Sequence, residues 1–407
     1  MDRIIRSLCV ASLGTFAVAS FTPAVAQNSV TLYGAIDNGI GYQSSQTALG
    51  STSNGKSAVK MVNGVWLGSR FGLRGSEDLG GGTKAVFTLE EGFNSSTGGQ
   101  AVTGLMFNRQ SFVGVTNDRY GSLAAGRQYA SYFQLMSPFG PTAWITGYTG
   151  AHPGDIDGLD TVYRSNNTIL YTSPRIFGVV ISGSYSLAGI PGSINQGSSY
   201  SGAMSYAQGP VAAGVGFSRI NNSTVGGGAY GADSATSNAG AQQGLSALNF
   251  GYQTAQAQQR FAAGASYVLS SAFDIRAIYT NVQYIPGTGS AFASEAIFNT
   301  GGVVFHWKPF VALDLVAEYS YTRATEANGI TDSARYHQIV LSQYYAISKR
   351  TGLYASEGFT RAGGETLGGN GMGSIIGATA TVGDGYNSTP SSSRSMFVGV
   401  AGIVHRF

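Results

Sequence analysis

The sequence predicts an all-β fold, a transmembrane antiparallel β-barrel of about 16 strands. Charged residues are only 11% of the 407-residue chain and apolar residues 43%, whereas an average soluble domain has about 25% charged residues. Segments of about ten residues alternate between apolar and polar side chains, as strands with one face in lipid and one in water do. Short and long connections also alternate along the chain, which is typical of barrels with tight turns at one end.

The alternation of side chains has a period of two. In the first segment, Leu32 and Ile36 fall on one face, while Tyr33 and Asp37 fall on the other. After residue 26 no stretch approaches the roughly 18 consecutive apolar residues of a spanning helix. The strand interpretation therefore accounts for the low charge without a transmembrane helix. The clearest alternating segments are residues 30–42, 179–187 and 311–322.

The connections give the strand count. The short ones are residues 77–82, 118–121, 173–178, 208–210, 270–271, 308–310 and 348–351. The long ones are residues 43–61, 94–106, 128–166, 188–198, 221–256, 286–294, 325–334 and 362–394. These imply about sixteen strands, closed into a barrel because an open edge in lipid would leave backbone amides and carbonyls unsatisfied. The alternative fold is a soluble β-sandwich or propeller, and the lack of a fixed repeat of about 20–50 residues disfavours a propeller.

Residues 1–26 are predicted to be a cleaved signal peptide. Arg3 and Arg6 give a positive start, residues 8–21 are apolar, and residues 24–26 form an A-x-A cleavage site. The remaining chain is therefore expected to be exported across the inner membrane.

Residues 27–407 are then the barrel. The only cysteine of the chain, Cys9, lies in the predicted signal peptide, so no disulfide or thiolate metal site is expected. The net charge of +3 is too small to indicate nucleic acid as a partner. No cofactor and no metal is predicted.

Side-chain parity places two arginines inside the barrel. In residues 65–74, Val65, Leu67, Phe71 and Leu73 are expected to face lipid. The opposite parity carries Arg70 and Arg74, and a basic side chain facing lipid at the midplane would cost about 2–4 kcal/mol. Both arginines are therefore predicted to line the lumen.

The same test puts Lys84, Thr88 and Glu90 inside. Arg109 has the parity of Val113, which the alternation places outside. A bulge or a strand-end position would resolve this conflict.

Several motifs resemble the general porins of Gram-negative bacteria, in their β-proteobacterial branch. The most specific is residues 69–82, SRFGLRGSEDLGGG. The others are residues 29–34 with Asp37, residues 112–114, residues 121–123, residues 126–128, residues 171–174 and the closing residues 405–407. The resemblance spans the mature chain in order. It implies a sixteen-stranded homotrimer of the outer membrane whose third long loop, about 128–166, folds into the lumen. Outer-membrane lipid and lipopolysaccharide are the expected surroundings.

The resemblance also implies pore-wall residues. Arg109 and Arg164 align with wall arginines of these porins, and Arg127 opens the third gap. Arg70, Arg109 and Arg164 are the leading candidates for the pore constriction, with Arg74 and Arg127 next. Some of them can instead reach the rim or pair with carboxylates.

The acidic side of the constriction is assigned to Asp155, Asp157 and Asp160 in the third gap. They are expected to face the arginines. Two alternatives stay open at this point: the three carboxylates are solvated, or their spacing binds Ca²⁺ without the full EF-hand pattern.

The expected function is passive diffusion of small hydrophilic solutes and ions through a weakly anion-selective pore, since basic rings favour anions. The alternative is a substrate-specific channel with a binding site in the third loop. There, aromatic rings are available to stack on solutes, at Tyr129, Tyr132, Phe133 and Trp144. An enzyme is not expected, because the four histidines are dispersed and only loop residue His152 merits a test.

Three further expectations concern surfaces and strand number. Tyr33 is a candidate for an aromatic girdle. The segment 245–250 is a candidate extra strand within the long gap 221–256. Small residues of the first and last strands are candidate subunit contacts, at Gly34, Gly39, Gly399 and Gly402.

Overall fold

The computed structural model describes residues 29–160, 164–228, 246–384 and 390–407. The predicted signal peptide lies outside these residues. Antiparallel strands dominate the described part of the chain and form one sheet of 17 segments. No helix of the described residues has the length and apolar character needed to cross a membrane.

The strand bounds follow the predicted order of short and long connections. The strands are β1 Ser29–Gln46, β2 Lys56–Asn63, β3 Arg70–Gly80, β4 Thr83–Gly92, β5 Gln110–Asn117, β6 Gly121–Gln128, β7 Ser165–Thr172, β8 Val179–Ser186, β9 Ser199–Gln208, β10 Val211–Asn221, β11 Ala257–Ser270, β12 Phe273–Ile285, β13 Ala296–Phe310, β14 Leu313–Ala324, β15 Arg335–Ala346, β16 Thr351–Gly363, β17 Glu365–Gly368, β18 Gly371–Gly377 and β19 Ser395–Arg406. The pair β17–β18 forms a separate hairpin in the last long connection.

The sheet closes on itself at β1. One edge of β1 pairs with β19, and the other edge pairs with β3 in its first half and β2 in its second half. The terminal residue Phe407 continues the seam, since its backbone N and O each bond to Gly34 at 3.0 Å. Because β2 and β3 together occupy one position, the barrel has the predicted sixteen strands.

Apolar side chains cover the outside of the barrel and polar ones its inside. Leu32 is 61% exposed, whereas Asp37 on the opposite parity is fully buried. The same alternation holds along β8 and β14, where Ile181 and Tyr319 lie outside while Ser182 and Glu318 lie inside. The predicted parity is therefore confirmed for all three segments.

One predicted strand is interrupted. Residues 64–69 leave the sheet between β2 and β3, because the Asp37 carboxylate accepts hydrogen bonds from the backbone N–H of Trp66 at 2.5 Å and of Leu67 at 2.8 Å. Val65 is consequently 3% exposed and packs in the interior. The prediction that Val65 and Leu67 face lipid was wrong.

The segment 245–250 is not an extra strand in its described part. Residues 246–249 form a turn that leads into the 3₁₀ helix Phe250–Tyr252, and Leu245 lies outside the described residues. Tyr252 meets Phe298 of β13 edge-to-face with ring centroids 5.8 Å apart. This end of the connection between β10 and β11 thus packs against the inside of the barrel.

Two of the four glycines expected at a subunit contact face inward. A Cβ on Gly39 or Gly402 would lie 2.9 Å or 2.3 Å from the Tyr354 hydroxyl, which itself donates to Asp37 at 2.6 Å. These glycines make room for an interior tyrosine, so that expectation was wrong for both.

Candidate functional site

The third long connection, between β6 and β7, contains the short helices α1 Ser131–Met136 and α2 Gly147–Gly150. It also contains three 3₁₀ turns, Ser137–Phe139, Pro141–Ala143 and Pro153–Asp155. We call residues 129–164 the third loop. Most of its described side chains are buried.

The third loop contacts the inner, polar side of distant strands. Thr149 Oγ1 lies 2.6 Å from Ser356 Oγ of β16, and the Gln338 amide of β15 donates to the Ala151 carbonyl at 2.8 Å. Near the start of the loop, the Tyr132 N–H donates to Ser201 Oγ of β9 at 3.2 Å. The loop therefore crosses from β6 to strands on the far side of the barrel.

Small residues of the barrel wall create the space that the loop fills. A Cβ on Gly216 of β10 would lie 2.6 Å from Met136 Cγ, and one on Gly264 of β11 would lie 2.5 Å from Phe139 Cβ. Met136 and Phe139 pack there with other buried apolar side chains. Larger residues at these wall positions would push the loop inward.

Three arginines gather around one carboxylate where β3, β4 and β5 meet the third loop. Arg109 Nε donates to Glu90 Oε1 at 2.7 Å, and Arg70 Nε lies 4.0 Å from Glu90 Oε2. Tyr33 of β1 donates its hydroxyl to the same Oε2 at 3.0 Å. Tyr33 is thus part of the interior site, not of an outer aromatic girdle. We call Arg70, Arg109 and Arg164 the arginine cluster.

Tyr129 joins the third member to the cluster. Its hydroxyl accepts hydrogen bonds from Arg164 Nη2 at 2.8 Å and Arg109 Nη2 at 3.1 Å. The Arg164 guanidinium also lies 4.9 Å from the centroid of the Tyr129 ring. Burial would raise the pKa of Tyr129, but the Arg109 and Arg164 charges outweigh burial and lower it. The Tyr129 hydroxyl therefore links Arg164 to Arg109, which is itself paired with Glu90.

The two secondary arginines lie beside the cluster with different partners. Arg74 is exposed and places its guanidinium 5.1 Å from the Tyr33 ring centroid. Arg127 Nε donates to the Asn108 carbonyl at 2.7 Å and its Nη1 to Asn166 at 2.5 Å. Arg74 thus extends the cluster along β3, while Arg127 braces the neighbouring backbone.

Arg109 lies at the end of a strand. This is one of the two positions, a bulge or a strand end, that the sequence pattern left open for it. It directly precedes β5, and its N–H donates to the Glu90 carbonyl at 3.1 Å. Its side chain is therefore free to turn inward against the outward parity of Val113.

The predicted acids do not all face the arginine cluster. Asp157 Oδ2 lies 2.5 Å from His152 Nδ1 and accepts a hydrogen bond from Thr280 of β12 at 3.0 Å. Asp155 accepts from the Asp160 N–H at 3.0 Å within the loop. Asp155 and Asp157 thus have partners other than the arginine cluster, whereas Asp160 interacts electrostatically with Arg109.

Loop conformation explains this difference. Asp155 and Gly158 have positive φ angles of 45° and 67°, so the chain turns sharply between the aspartates. The turn directs this segment toward Arg260 of β11, since a Cβ on Gly158 would contact the Arg260 guanidinium. Arg260 interacts electrostatically with both Asp155 and Asp157.

These loop carboxylates have opposite pKa shifts. Burial, followed by the charges of Asp160 and Asp157, raises the pKa of Asp155 well above its ordinary range. Burial would raise the pKa of Asp157 too, but the His152 charge and hydrogen bonds lower it below the ordinary value. Burial would lower the pKa of His152, yet the charge of Asp157 with its hydrogen bond and the charge of Glu318 raise it. His152 and Asp157 therefore form an ion pair in the loop.

The calcium alternative finds no support in this arrangement. Among the described residues no group of three or more His, Cys, Asp or Glu side chains is placed to hold a metal ion. Asp157 is committed to His152 and Thr280, and Asp155 to the Asp160 backbone.

The loop aromatics proposed for solute stacking are occupied by protein. The Trp144 ring stacks on His306 with centroids 3.7 Å apart, and Tyr132 is 2% exposed. Tyr129 and Phe133 stack on each other at 4.6 Å. An open aromatic path for a sugar is not present in these four rings.

Sequence reasoning missed two partners of the site. Glu90 was placed inside by parity without a role, and its position opposite Gly72 on β3 brings it between Arg70 and Arg109. Arg260 has the inward parity of β11, which the same test would have found. No sequence signal predicts that Arg260 meets the third loop.

The comparisons agree with this architecture. A family model described as Gram-negative porin matches residues 10–365. The chain belongs to the Gram-negative porin family. It is a multi-pass β-barrel of the bacterial outer membrane.

Two relatives and one solved structure show the extent of the similarity. The chain is 40% identical over 192 residues to an outer membrane porin protein of Bordetella pertussis, covering 44% of this chain and 47% of that one. It is 26% identical to the outer membrane porin protein 32 of Delftia acidovorans, covering 84% and 87%. The structure of the anion-selective porin from Comamonas acidovorans covers 94% of this chain and all of that one, with a TM-score of 0.66 and 22% identity. The match to the Bordetella relative thus spans about half of its length.

Proposed function

We propose that this porin is a passive diffusion pore for small hydrophilic solutes and ions, with weak anion selectivity. The arginine cluster is the observation that carries the proposal. Arg70 and Arg109 lie beside Glu90, Arg164 joins them through the Tyr129 hydroxyl, and basic side chains lining a pore favour anions. The anion selectivity of the Comamonas porin agrees with this assignment.

The third loop is proposed to lie in the lumen and to narrow it. The support is its contact with the polar face of β9, β15 and β16. The proposed constriction is formed by the arginine cluster with Arg74, Arg127 and Asp160 around it. Asp155 and Asp157 are assigned instead to anchoring the loop, because their partners are His152, Thr280 and Arg260.

A homotrimer in contact with outer-membrane lipid and lipopolysaccharide is the proposed assembly. Besides the family resemblance, one polar pair on the apolar outer face supports a subunit contact. Glu357 of β16 has the outward parity of Leu353 and Phe359, and it accepts a hydrogen bond from Gln343 at 3.3 Å. A carboxylate is unfavourable in hydrocarbon, so a partner subunit that supplies a hydrogen-bond donor to Glu357 would offset that cost.

Catalysis is not proposed for this chain. Its relatives are porins, which are channels. His152, the one histidine that merited a test, is 1% exposed and is paired with Asp157. Hydrolysis of lipid or peptide substrates that disappears in His152→Ala would contradict this assignment.

The test of selectivity is the reversal potential of Arg70→Ser in a KCl gradient across a planar bilayer. A unit charge about 8 Å from a permeating ion contributes ~0.5 kcal/mol in water, or about a twofold change in the permeability of each ion. Removal of the charge disfavours chloride and favours potassium, so we expect the chloride-to-potassium permeability ratio to fall about fourfold. The matched control is Arg175→Ser, which removes the same charge from an exposed turn. Equal reversal potentials for wild type and Arg70→Ser would exclude Arg70 from the selective region.

A further inference from the structure

Residues 64–69 lie inside the barrel between β2 and β3 and carry a tryptophan toward the lumen. The backbone N–H groups of Trp66 and Leu67 donate to the Asp37 carboxylate at 2.5 Å and 2.8 Å, which holds the segment away from the sheet. We call residues 64–69 the inward bulge. Its Val65 is buried, whereas Trp66 stays partly exposed. Since the inward bulge lies inside the sheet, the exposed part of Trp66 faces the lumen.

Two tyrosines of the barrel wall lie behind the Trp66 ring. The Trp66 centroid is 4.7 Å from that of Tyr344 and 5.8 Å from that of Tyr354, with interplanar angles of 19° and 24°. Tyr344 of β15 and Tyr354 of β16 are directly opposite each other in register and share the inward parity. We call these three rings the aromatic shelf. Because both tyrosines belong to the wall, the other face of the indole is directed to the lumen.

Hydrogen bonds hold the aromatic shelf in place. The Tyr354 hydroxyl donates to Asp37 Oδ1 at 2.6 Å, so one carboxylate holds both this ring and the Trp66 backbone. The Tyr344 hydroxyl accepts a hydrogen bond from Arg406 Nη1 at 3.1 Å. Rings that are already ordered lose little conformational entropy when a ligand binds. The aromatic shelf is therefore preorganised to stack on a planar molecule.

A guanidinium donor adjoins the inward bulge at Gly68. A Cβ on Gly68 would lie 3.0 Å from Arg109 Nη1, so the missing side chain lets this group approach. Arg109 Nε and Nη2 donate to Glu90 and Tyr129, whereas Nη1 has no hydrogen-bond partner in the part of the chain that the structure describes. The inward bulge thus places an unused N–H donor two residues from the aromatic face of Trp66.

An aromatic face beside a guanidinium donor favours a planar anion. Offset-stacked aromatic rings attract each other beyond the effect of the area that they bury. An arginine N–H forms a shorter and stronger hydrogen bond with a carboxylate than with a neutral acceptor. An aliphatic carboxylate can use only the guanidinium, and a neutral sugar has neither an aromatic ring nor a charge. An aromatic carboxylate can use both groups.

We propose that the inward bulge binds aromatic carboxylates during their passage through the pore. The ring of the solute stacks on Trp66, and its carboxylate accepts a hydrogen bond from Arg109 Nη1. Trp66 is thereby the residue that distinguishes aromatic from aliphatic anions. The proposal rests on the proposed diffusion pore and adds to it a solute class that charge alone does not select.

The test is the decrease of KCl current through the purified protein in planar bilayers when benzoate or cyclohexanecarboxylate is added. Both acids are ionised at pH 7 and have a six-membered carbon ring, but only the benzoate ring is aromatic. We expect the half-blocking concentration of benzoate to be lower by about threefold to tenfold, the range of aromatic stacking. Binding by burial of apolar surface alone would give the opposite order, because the saturated ring has the larger apolar surface.

Substitution of Trp66 tests its role in this difference. Trp66→Leu is expected to remove the preference for benzoate, because leucine is apolar but has no aromatic face. The hydrogen bonds to Asp37 come from the backbone, so this change retains them. Trp66→Phe should still be blocked more strongly by benzoate. The matched control Trp307→Leu removes a tryptophan that is 50% exposed on the outer face and should keep the wild-type ratio of half-blocking concentrations.

Arg109→Gln separates recognition of the charge from recognition of the ring. It should raise the half-blocking concentrations of both acids, because both lose a charge-assisted hydrogen bond. Benzoate should remain the stronger blocker, since Trp66 is unchanged. If both concentrations stay at their wild-type values, Arg109 does not bind the carboxylate and the proposal is wrong.

The outcomes distinguish failure of this proposal from failure of the diffusion pore. If wild type conducts KCl but the two acids block it equally, aromatic recognition is excluded while the pore assignment remains. The same conclusion follows if Trp66→Leu keeps the wild-type ratio. Absence of conductance in wild type would overturn the pore itself and this proposal with it.

Discussion

At the scale of single residues, the interior of this barrel is organised by a few shared carboxylates. Asp37 accepts hydrogen bonds from the Trp66 and Leu67 backbone and from the Tyr354 hydroxyl. Glu90 binds Arg109 and Tyr33 and lies near Arg70. Asp37 holds residues 64–69 inside the barrel, and Glu90 partly neutralises Arg70 and Arg109.

Parity alone predicted that Asp37, Arg70 and Glu90 point inward, because a strand has a strict period of two. It did not predict what they bind. The partner of Asp37 comes from the sequence-distant strand β16, and the register between such strands is not visible in a local pattern. Arg70 and Glu90 lie on the consecutive strands β3 and β4, but parity gives only the inward direction of each side chain and not the residue that it binds.

The His152–Asp157 pair gives a pH prediction. The raised pKa of His152 means that its stabilisation of the loop is complete below its ordinary pKa of 6.5 and is lost as pH rises through the raised value. The lowered pKa of Asp157 means that its stabilisation is present above 3.8 and is lost as pH falls through the lowered value. The pair therefore anchors the loop most strongly between these two limits.

Hydrogen–deuterium exchange of residues 144–160, corrected for intrinsic rates, measures this anchoring. Protection is expected to decrease as pH rises above the His152 pKa in wild type. His152→Gln should show low protection at all pH values, while His405→Gln, a change on the exposed outer face, should behave as wild type. If the protection of His152→Gln equals that of wild type at pH 6, the His152–Asp157 ion pair does not anchor the loop.

At the scale of elements, strands and loops differ in how far sequence determines them. The strand segments and connection lengths were predicted because alternation and turn residues are local. The interruption at 64–69 and the turn at 155–158 were missed, since both depend on contacts with Asp37 and Arg260 formed only in the closed barrel. Gly39 was also assigned to a subunit contact although it shares the inward parity of Asp37 in the sequence.

The path of the third loop can be tested by cross-linking. Thr149→Cys/Ser356→Cys joins α2 of the loop to β16, where the native hydroxyl oxygens are 2.6 Å apart. The mature chain is expected to contain no other cysteine, so mild oxidation should give one disulfide, detected by peptide mass spectrometry. The pore should stay open, because the bond fixes the loop where it already lies.

The matched control for this cross-link is Thr149→Cys/Ser182→Cys. Ser182 of β8 also faces inward but bonds to Ser131 at the start of the loop, not to Thr149. It should remain reduced under the same conditions. Efficient cross-linking of the control pair, or none in the first pair, would contradict the described path.

At the scale of the whole molecule, closure of the sheet and the charge of its interior are separate properties. Closure follows from the seam of β1 with β19 and Phe407, which leaves no open edge in lipid. The proposed selectivity depends on the arginine cluster, in which Glu90 pairs with Arg109 and lies near Arg70. A closed barrel with neutral side chains at these positions would conduct ions of both signs equally.

The most direct measurement of this account is the current through the purified wild-type protein in a planar bilayer under a KCl gradient. If Arg70, Arg109 and Arg164 line a water-filled barrel, we expect discrete channel insertions and a reversal potential with the sign of chloride selectivity. Insertion without conductance, or a reversal potential with the sign of potassium selectivity, would contradict this account.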